Sequence, residues 1–101
     1  MDERVKHMVI FCLKYDTGSS ETDKFLLDGK EILSNIPGVE NFQVLTQISQ
    51  KNDYDFGFSM EFSSMVEYDT YNKHPIHVDF VNQRWKAEVT RFLEIDFQLR
   101  T

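Results

Sequence analysis

The sequence predicts an α+β fold in which four strands form one antiparallel sheet and helical segments cover one of its faces. Three observations lead to this prediction. Four stretches are rich in β-branched and aromatic residues, two others repeat apolar residues at helical spacing, and their order is strand, helix, strand, strand, helix, strand. That order is typical of a ferredoxin-like βαββαβ arrangement. The chain has 101 residues, which suits one domain spanning residues 1–101.

The first strand is predicted over residues 5–15, and both of its faces are apolar. One face carries His7, Val9, Phe11 and Leu13, and the other carries Met8, Ile10 and Cys12. A strand with two apolar faces is expected near the centre of a sheet, with cover on both sides.

Ser20 followed by Asp23 resembles an N-cap arrangement, with an acid in the first turn, so Ser20 is the expected N-cap of the first helix. Its apolar positions are Phe25, Leu26, Ile32, Leu33 and Ile36, and "IPGV" ends it. Gly29 lies on the same face. Because glycine weakens a helix, its presence there indicates the close approach of something bulky.

Two further strands follow, at residues 39–49 and 54–62. The second of them alternates strictly: Tyr54, Phe56, Phe58, Met60 and Phe62 share one face, and Asp55, Gly57, Ser59 and Glu61 share the other. Strict alternation is the period of a strand with one buried face.

The last third of the chain predicts two helices and a strand. Ser64 with Glu67 forms a capping box that starts a short helix near Met65. This helix stops before Pro75, which suits the first position of the next helix. The apolar positions of that helix are Val78, Val81, Trp85 and Val89, and "FLEIDFQL" (92–99) is the closing strand.

Charge and composition argue against several classes of function. The net charge of −6 argues against a nucleic-acid partner. No apolar run is long enough to span a membrane, so no membrane association is expected. Cys12 is the only cysteine, which excludes an intramolecular disulfide and favours the reducing cytoplasm.

Two helices can cover only one face of a four-stranded sheet, so the second apolar face of the first strand needs another cover. A second copy of the chain is the simplest one, and the sequence therefore predicts a homodimer with its sheets packed face to face. Asp55, Ser59 and Glu61 would make part of that interface polar.

The stretch "YNKHPIHVDF" (71–80) contains the candidate catalytic residues. His74 lies at the break between two helices and is expected to cap the second or to lie at the surface. His77 would be the third helical residue, where the helix N-terminus disfavours imidazolium and leaves a neutral base. Tyr71 could hold a developing oxyanion. The alternatives are a structural His77 bonded to a carbonyl and a Tyr71 that only packs.

The motifs "VKHMVIF", "IPGV", "SQKN", "Y..HP.H" and "FLEIDF" resemble those of the stress-responsive A/B barrel domain family, also called dimeric α/β-barrel proteins. The resemblance implies a ferredoxin-like fold that dimerises into an α/β barrel. Most members have no assigned activity, and some plant members are stress-associated.

One member is a polyketide cyclase that uses a tyrosine and a histidine, matching Tyr71 and His77, without a cofactor. Its further histidine matches His7, but a pocket histidine is replaced by Phe56 and a helix aromatic by Gly29. A plant member suggests Mg²⁺ held by backbone carbonyls, at positions that match Leu33, Ile36 and Val39.

The expected pocket lies between sheet and helices, lined by His7, Phe56 and Phe58 from the sheet and by Leu26 and Gly29 from the first helix. Gly29 would leave space there for a small apolar, carbonyl-containing ligand. Three functions stay open: a dimeric small-molecule-binding stress protein, a cofactor-independent cyclase-like or monooxygenase-like enzyme that uses Tyr71 and His77, and a purely structural dimer.

Overall fold

A single antiparallel sheet forms one layer of the molecule. The computed structural model describes residues 3–100. Its strands are β1 (Val5–Leu13), β2 (Glu40–Thr46), β3 (Phe56–Phe62) and β4 (Val89–Phe97). Their order across the sheet is β2-β3-β1-β4, and every neighbouring pair is antiparallel. The prediction that the first strand is central is confirmed.

The helices form the second layer, on one face of the sheet. They are α1 (Ser20–Ser34), α2 (Met65–Lys73) and α3 (Pro75–Phe80), followed by a π-helical turn (Val81–Trp85) and a last short turn, α4 (Lys86–Glu88). The predicted ferredoxin-like α+β fold is confirmed. Within residues 3–100, no helix is both long enough and apolar enough to cross a membrane.

Several predicted boundaries were wrong by a few residues, including the end of β1 at Leu13, both ends of β2 (Glu40–Thr46) and both ends of β4 (Val89–Phe97). The N-cap of α1 is Ser19 rather than Ser20, and Oγ of Ser19 accepts the N–H of Thr22 at 3.2 Å. Two neighbouring serines precede the acidic first turn, and both are residue types that favour an N-cap. The third helical run does not reach Val89, which starts β4. The strand β3 begins at Phe56 rather than at residue 54.

The inner face of the sheet, which we define as the face under the helices, carries the core. Its centre is a cluster of aromatic rings around Phe58, which is fully buried. The ring of Phe58 lies 4.9 Å from that of Phe11 and 6.2 Å from that of Phe25, centroid to centroid. The strict alternation of β3 therefore reports the buried face, as predicted.

Gly29 lies where α1 crosses this aromatic cluster. A Cβ at this position would lie 2.6 Å from Cζ of Phe58, which is closer than packed atoms can approach. The predicted close approach of a bulky group is confirmed. The expectation that Gly29 leaves space for a ligand is wrong, because the ring of Phe58 occupies that space.

We expect Gly29→Ala to lower the free energy of unfolding by roughly 1–2 kcal/mol. Overpacking a core costs about 1–3 kcal/mol, and alanine returns up to about 1 kcal/mol of helix propensity. Chemical denaturation measures the difference. Gly18→Ala is the matched control, since a Cβ there meets nothing within 4 Å. Equal stability of both variants would show that the ring of Phe58 moves aside freely.

The outer face of the sheet, opposite the helices, is apolar along β1 and β4. Met8 pairs with Ile95 and Ile10 pairs with Leu93 across these two strands. Leu93 is 48% exposed and Phe97 is 54% exposed. Within residues 3–100 no element covers this face, so the second apolar face of β1 predicted from the sequence is present and open.

Candidate functional site

A cavity of about 230 Å³ opens between the inner face of the sheet and the helical layer. Seven residues were predicted to form the site, and four of them line the cavity: His7, Phe58, Tyr71 and His77. Leu26, Gly29 and Phe56 do not. The reason for Gly29 is packing, because the ring of Phe58 lies directly against it; among the residues of α1, Leu33 reaches the cavity wall instead.

Tyr71, from α2, forms part of the cavity wall. Its side chain is 2% exposed, and its ring centroid lies 4.5 Å from that of His77. Burial raises the pKa of the Tyr71 hydroxyl above its ordinary value, and the charge of Glu94 adds to the effect. The phenol therefore stays protonated at neutral pH and can donate a hydrogen bond to a ligand.

His77 is the third residue of α3, as predicted. Its Nδ1 lies 3.2 Å from the carbonyl oxygen of Asn72. Because a carbonyl only accepts, Nδ1–H is the donor and Nε2 keeps its lone pair. Burial lowers the pKa of His77, and the Asn72 carbonyl opposes this shift. The predicted neutral base is supported, with burial in place of the helix dipole as the main cause.

The lowered pKa of His77 predicts a dependence of stability on pH. The unfolded chain binds the proton of this histidine at a higher pH than the folded chain does, so acidification favours unfolding. The contribution is fully present above about pH 6.5 and is lost as the pH falls below that value.

Denaturation at several pH values measures this effect. The free energy of unfolding of the wild type should fall more than that of His77→Gln between about pH 7 and about pH 5. His74→Gln is the control for a histidine outside the cavity. Parallel curves for the wild type and His77→Gln would show that burial does not shift the pKa of His77.

His74 has the architectural role that the sequence predicted. It is the N-cap of α3, and its Nδ1 accepts the N–H of Ile76 at 3.1 Å. It is not part of the cavity wall. Tyr71 and His77 meet because the chain turns at Pro75, which brings the end of α2 against the first turn of α3.

Eight further wall residues were missed as parts of the pocket, and two of them, Trp85 and Glu94, add chemical character to it. Trp85 lies in the π-helical turn, and Glu94 lies on β4, paired with Val9 on the inner face. The alternating pattern of β4 places Glu94 on the same face of the strand as Phe92 and Asp96. It did not show that this face borders a cavity. π-helical turns occur often at functional sites, but no pattern in this sequence indicated one.

The predicted magnesium site is not supported. The carbonyl of Leu33 already accepts the backbone N–H groups of Asn35 and Ile36, and the carbonyl of Ile36 accepts that of Val39. Within the part of the chain that the structure describes, no group of three His, Cys, Asp or Glu side chains is arranged to hold a metal ion.

Comparison with known proteins gives close structural matches. A Dabb-family protein with a ferredoxin-like fold from Mesorhizobium loti is 51% identical, with a TM-score of 0.95 over 97% of this chain and 98% of that chain. A dimeric protein of unknown function from Bacteroides fragilis is 20% identical, with a TM-score of 0.72 over 96% and 97%. SnoaB, a cofactor-independent oxygenase from Streptomyces nogalater, is 12% identical, with a TM-score of 0.74 over 98% and 95%.

The last two likenesses are to the fold alone. No curated protein matched the chain. The profile of the Dabb family, described as the stress-responsive A/B barrel domain, matches residues 5–99. This match spans β1 to the end of β4 and includes Tyr71 and His77. The chain therefore belongs to the stress-responsive A/B barrel domain family.

Proposed function

We propose that this protein catalyses proton transfer next to the carbonyl group of a small ligand, with His77 as the base and Tyr71 as the hydrogen-bond donor. The observation that carries the proposal is the shared cavity, in which the two rings lie 4.5 Å apart. A structural histidine and a packing tyrosine would not need an open space between sheet and helices.

The proposed step uses only these two side chains. Nε2 of His77 takes a proton from the carbon next to the carbonyl, and the C–H electron pair forms the enolate. The carbonyl oxygen gains the negative charge and accepts a hydrogen bond from the hydroxyl of Tyr71. Neither a metal nor an organic cofactor enters this step.

The cavity favours a small and mostly apolar ligand. Its volume of about 230 Å³ is below the ~300–1,000 Å³ of pockets that hold drug-sized molecules. Phe58, Trp85 and Phe92 contribute apolar walls. The carboxylate of Glu94 is the acidic group of the wall and disfavours an anionic ligand. We infer a neutral ketone or aldehyde.

Deuterium exchange of a simple ketone tests the proposal. Cyclohexanone in D₂O should lose its α-proton NMR signals faster with the wild-type protein than with buffer. The double variant Tyr71→Phe/His77→Gln should not accelerate the exchange. Equal rates with both proteins would remove the enzymatic proposal. In that case, binding of cyclohexanone by the wild type would favour a binding protein, and absence of binding would favour a structural one.

We also infer that two copies of the chain pack through the outer faces of their sheets. The apolar strip of Met8, Ile10, Leu93, Ile95 and Phe97 lacks a cover in residues 3–100. The protein of the same fold from Bacteroides fragilis is dimeric. Ser59 and Glu61 lie on the same face of β3, and they make the proposed interface partly polar.

The composition of the chain supports inferences about its partners and its cellular compartment. The net charge of −6 opposes a nucleic-acid partner. Cys12 is half-buried on β1, where its Sγ contacts the carbonyl of Asp53 at 3.2 Å. A lone thiol of this kind suits a reducing compartment, and we infer the cytoplasm.

A further inference from the structure

A polar cluster joins three elements beside the cavity: the buried His7 from β1, the buried Tyr68 from α2 and the exposed Asp96 from β4. Nδ1 of His7 lies 2.5 Å from Oδ1 of Asp96. The hydroxyl of Tyr68 lies 3.0 Å and 2.9 Å from the two carboxylate oxygens of Asp96, and 3.0 Å from Nδ1 of His7. The step assigned to Tyr71 and His77 uses neither Tyr68 nor Asp96.

The cluster fixes which nitrogen of His7 carries the proton. An ionised carboxylate only accepts hydrogen bonds, so Nδ1–H of His7 and O–H of Tyr68 both donate to Asp96. Burial, together with the hydrogen bond to Asp96, raises the pKa of the Tyr68 hydroxyl, which stays a donor. Nε2 of His7 therefore keeps its lone pair.

Nε2 of His7 reaches the cavity. His7 is 3% exposed, and the hydrogen bonds it makes within residues 3–100 use Nδ1. Across the same residues, no side-chain nitrogen or oxygen of a buried or half-buried residue is sealed off without a hydrogen-bond partner. Nε2 is therefore open to some space, and the space that His7 lines is the cavity.

We propose that His7 is a second proton-transfer residue of this cavity and that Asp96 and Tyr68 are its positioning residues. This inference rests on the proposed function and extends it to a substrate class. The ring of Tyr71 lies 6.4 Å from that of His7 and 4.5 Å from that of His77. Two imidazoles, one from the sheet and one from the helical layer, therefore flank the phenol of Tyr71.

Two proton carriers allow a proton to leave one atom of the substrate and another to arrive elsewhere. His77 removes the proton from the α-carbon of an unsaturated ketone, and the resulting dienolate oxygen accepts from Tyr71. The imidazolium of His7, protonated by water and paired with the Asp96 carboxylate, then donates a proton to the γ-carbon. The carbon–carbon double bond moves into conjugation, and His7 becomes neutral by giving up this proton. His77 releases the proton it took to the hydroxide that remained when water protonated His7, so no net proton is gained or lost.

The substrate class is thus a neutral ketone that isomerises by moving a proton. β,γ-Cyclohexenone is a suitable probe, because its conversion to the conjugated ketone changes the ultraviolet absorbance. We expect the wild type to catalyse this conversion and His7→Gln to lose about a hundredfold or more of the rate. The same variant should lose less of the α-proton exchange of cyclohexanone than of the isomerisation, because the exchange step is assigned to His77 and Tyr71.

The results separate this inference from the proposed function. A wild type that exchanges cyclohexanone but does not isomerise β,γ-cyclohexenone would overturn the role of His7 and leave the base His77 in place. A His7→Gln variant that isomerises at the wild-type rate would also overturn the role of His7. A wild type that does neither would remove both proposals.

The positioning role has a readout that does not depend on turnover. In nitrogen NMR, His7 of the wild type should carry its proton on Nδ1 when neutral, and Asp96→Asn should redistribute it between the two nitrogens. Tyr68→Phe keeps the ring and removes only the hydroxyl, so it should slow isomerisation more than it changes exchange. Detection of the proton on Nε2 of wild-type His7 would contradict the proposal even if His7→Gln failed to fold.

Discussion

Replacing His77 by glutamine should slow the α-proton exchange of cyclohexanone by about a hundredfold to ten-thousandfold. Glutamine can keep a hydrogen bond to the carbonyl of Asn72, but it has no basic nitrogen to take the proton. The loss should therefore fall on the maximal rate and leave ligand affinity nearly unchanged. Exchange rates measured over a series of ketone concentrations separate the two quantities.

His74→Gln is the matched control for this prediction. Both histidines belong to the same helix junction, and both bond the local backbone through Nδ1. Only His77 lines the cavity, so only its replacement should slow the exchange. A similar loss in both variants would assign the effect to a disturbed junction, and the role of His77 as the base would then be wrong.

Tyr71→Phe separates the donor from the base. It keeps the ring in its place against His77 and removes the hydroxyl that faces the enolate oxygen. Removal of one oxyanion donor costs about a hundredfold to a thousandfold in rate. Because the ring packing is retained, the thermal stability of this variant should stay close to that of the wild type, which distinguishes the proposed donor from a tyrosine that only packs.

The strands and the central place of β1 could be predicted from the sequence because their signals are local. The alternation from Phe56 to Phe62 identifies the face of β3 that carries the core, although Gly57 and Ser59 on the opposite face are buried as well. The two apolar faces of β1 report its central place. Pro75 likewise marks a helix start, because the fixed φ of proline suits the first helical position. Each of these signals depends on the residue and its near neighbours, so no knowledge of distant contacts was needed.

The composition of the site was harder to predict because distant contacts decide it. Gly29 shows the difficulty: a missing side chain can leave room for a ligand or for a neighbouring ring, and here the ring of Phe58 takes the room. Tyr68 and Asp96 are 28 positions apart, and a strand pattern alone cannot show that they bond. The π-helical turn that brings Trp85 to the cavity wall had no recognised sequence signal.

The proposed interface between sheets also has a sharp test, since Leu93→Glu should weaken self-association by at least about a hundredfold. Leu93 is half-exposed on the outer face, so one folded chain can hold glutamate there in contact with water. Two-fold packing would bury both copies of this charge. An uncompensated buried charge costs about 3 kcal/mol or more, and about 1.4 kcal/mol corresponds to a tenfold change in dissociation constant.

Sedimentation equilibrium checks this prediction, with the wild type expected at twice the chain mass of 12.0 kDa. Val66→Glu is the matched control: Val66 is 72% exposed on α2, in the helical layer rather than on the outer face, so its replacement should leave the dimer intact. If Leu93→Glu stays as dimeric as Val66→Glu, the outer face is not the interface. Since His7 and His77 belong to a cavity on the inner face, dissociation caused by Leu93→Glu should leave the ketone-exchange rate per chain nearly unchanged.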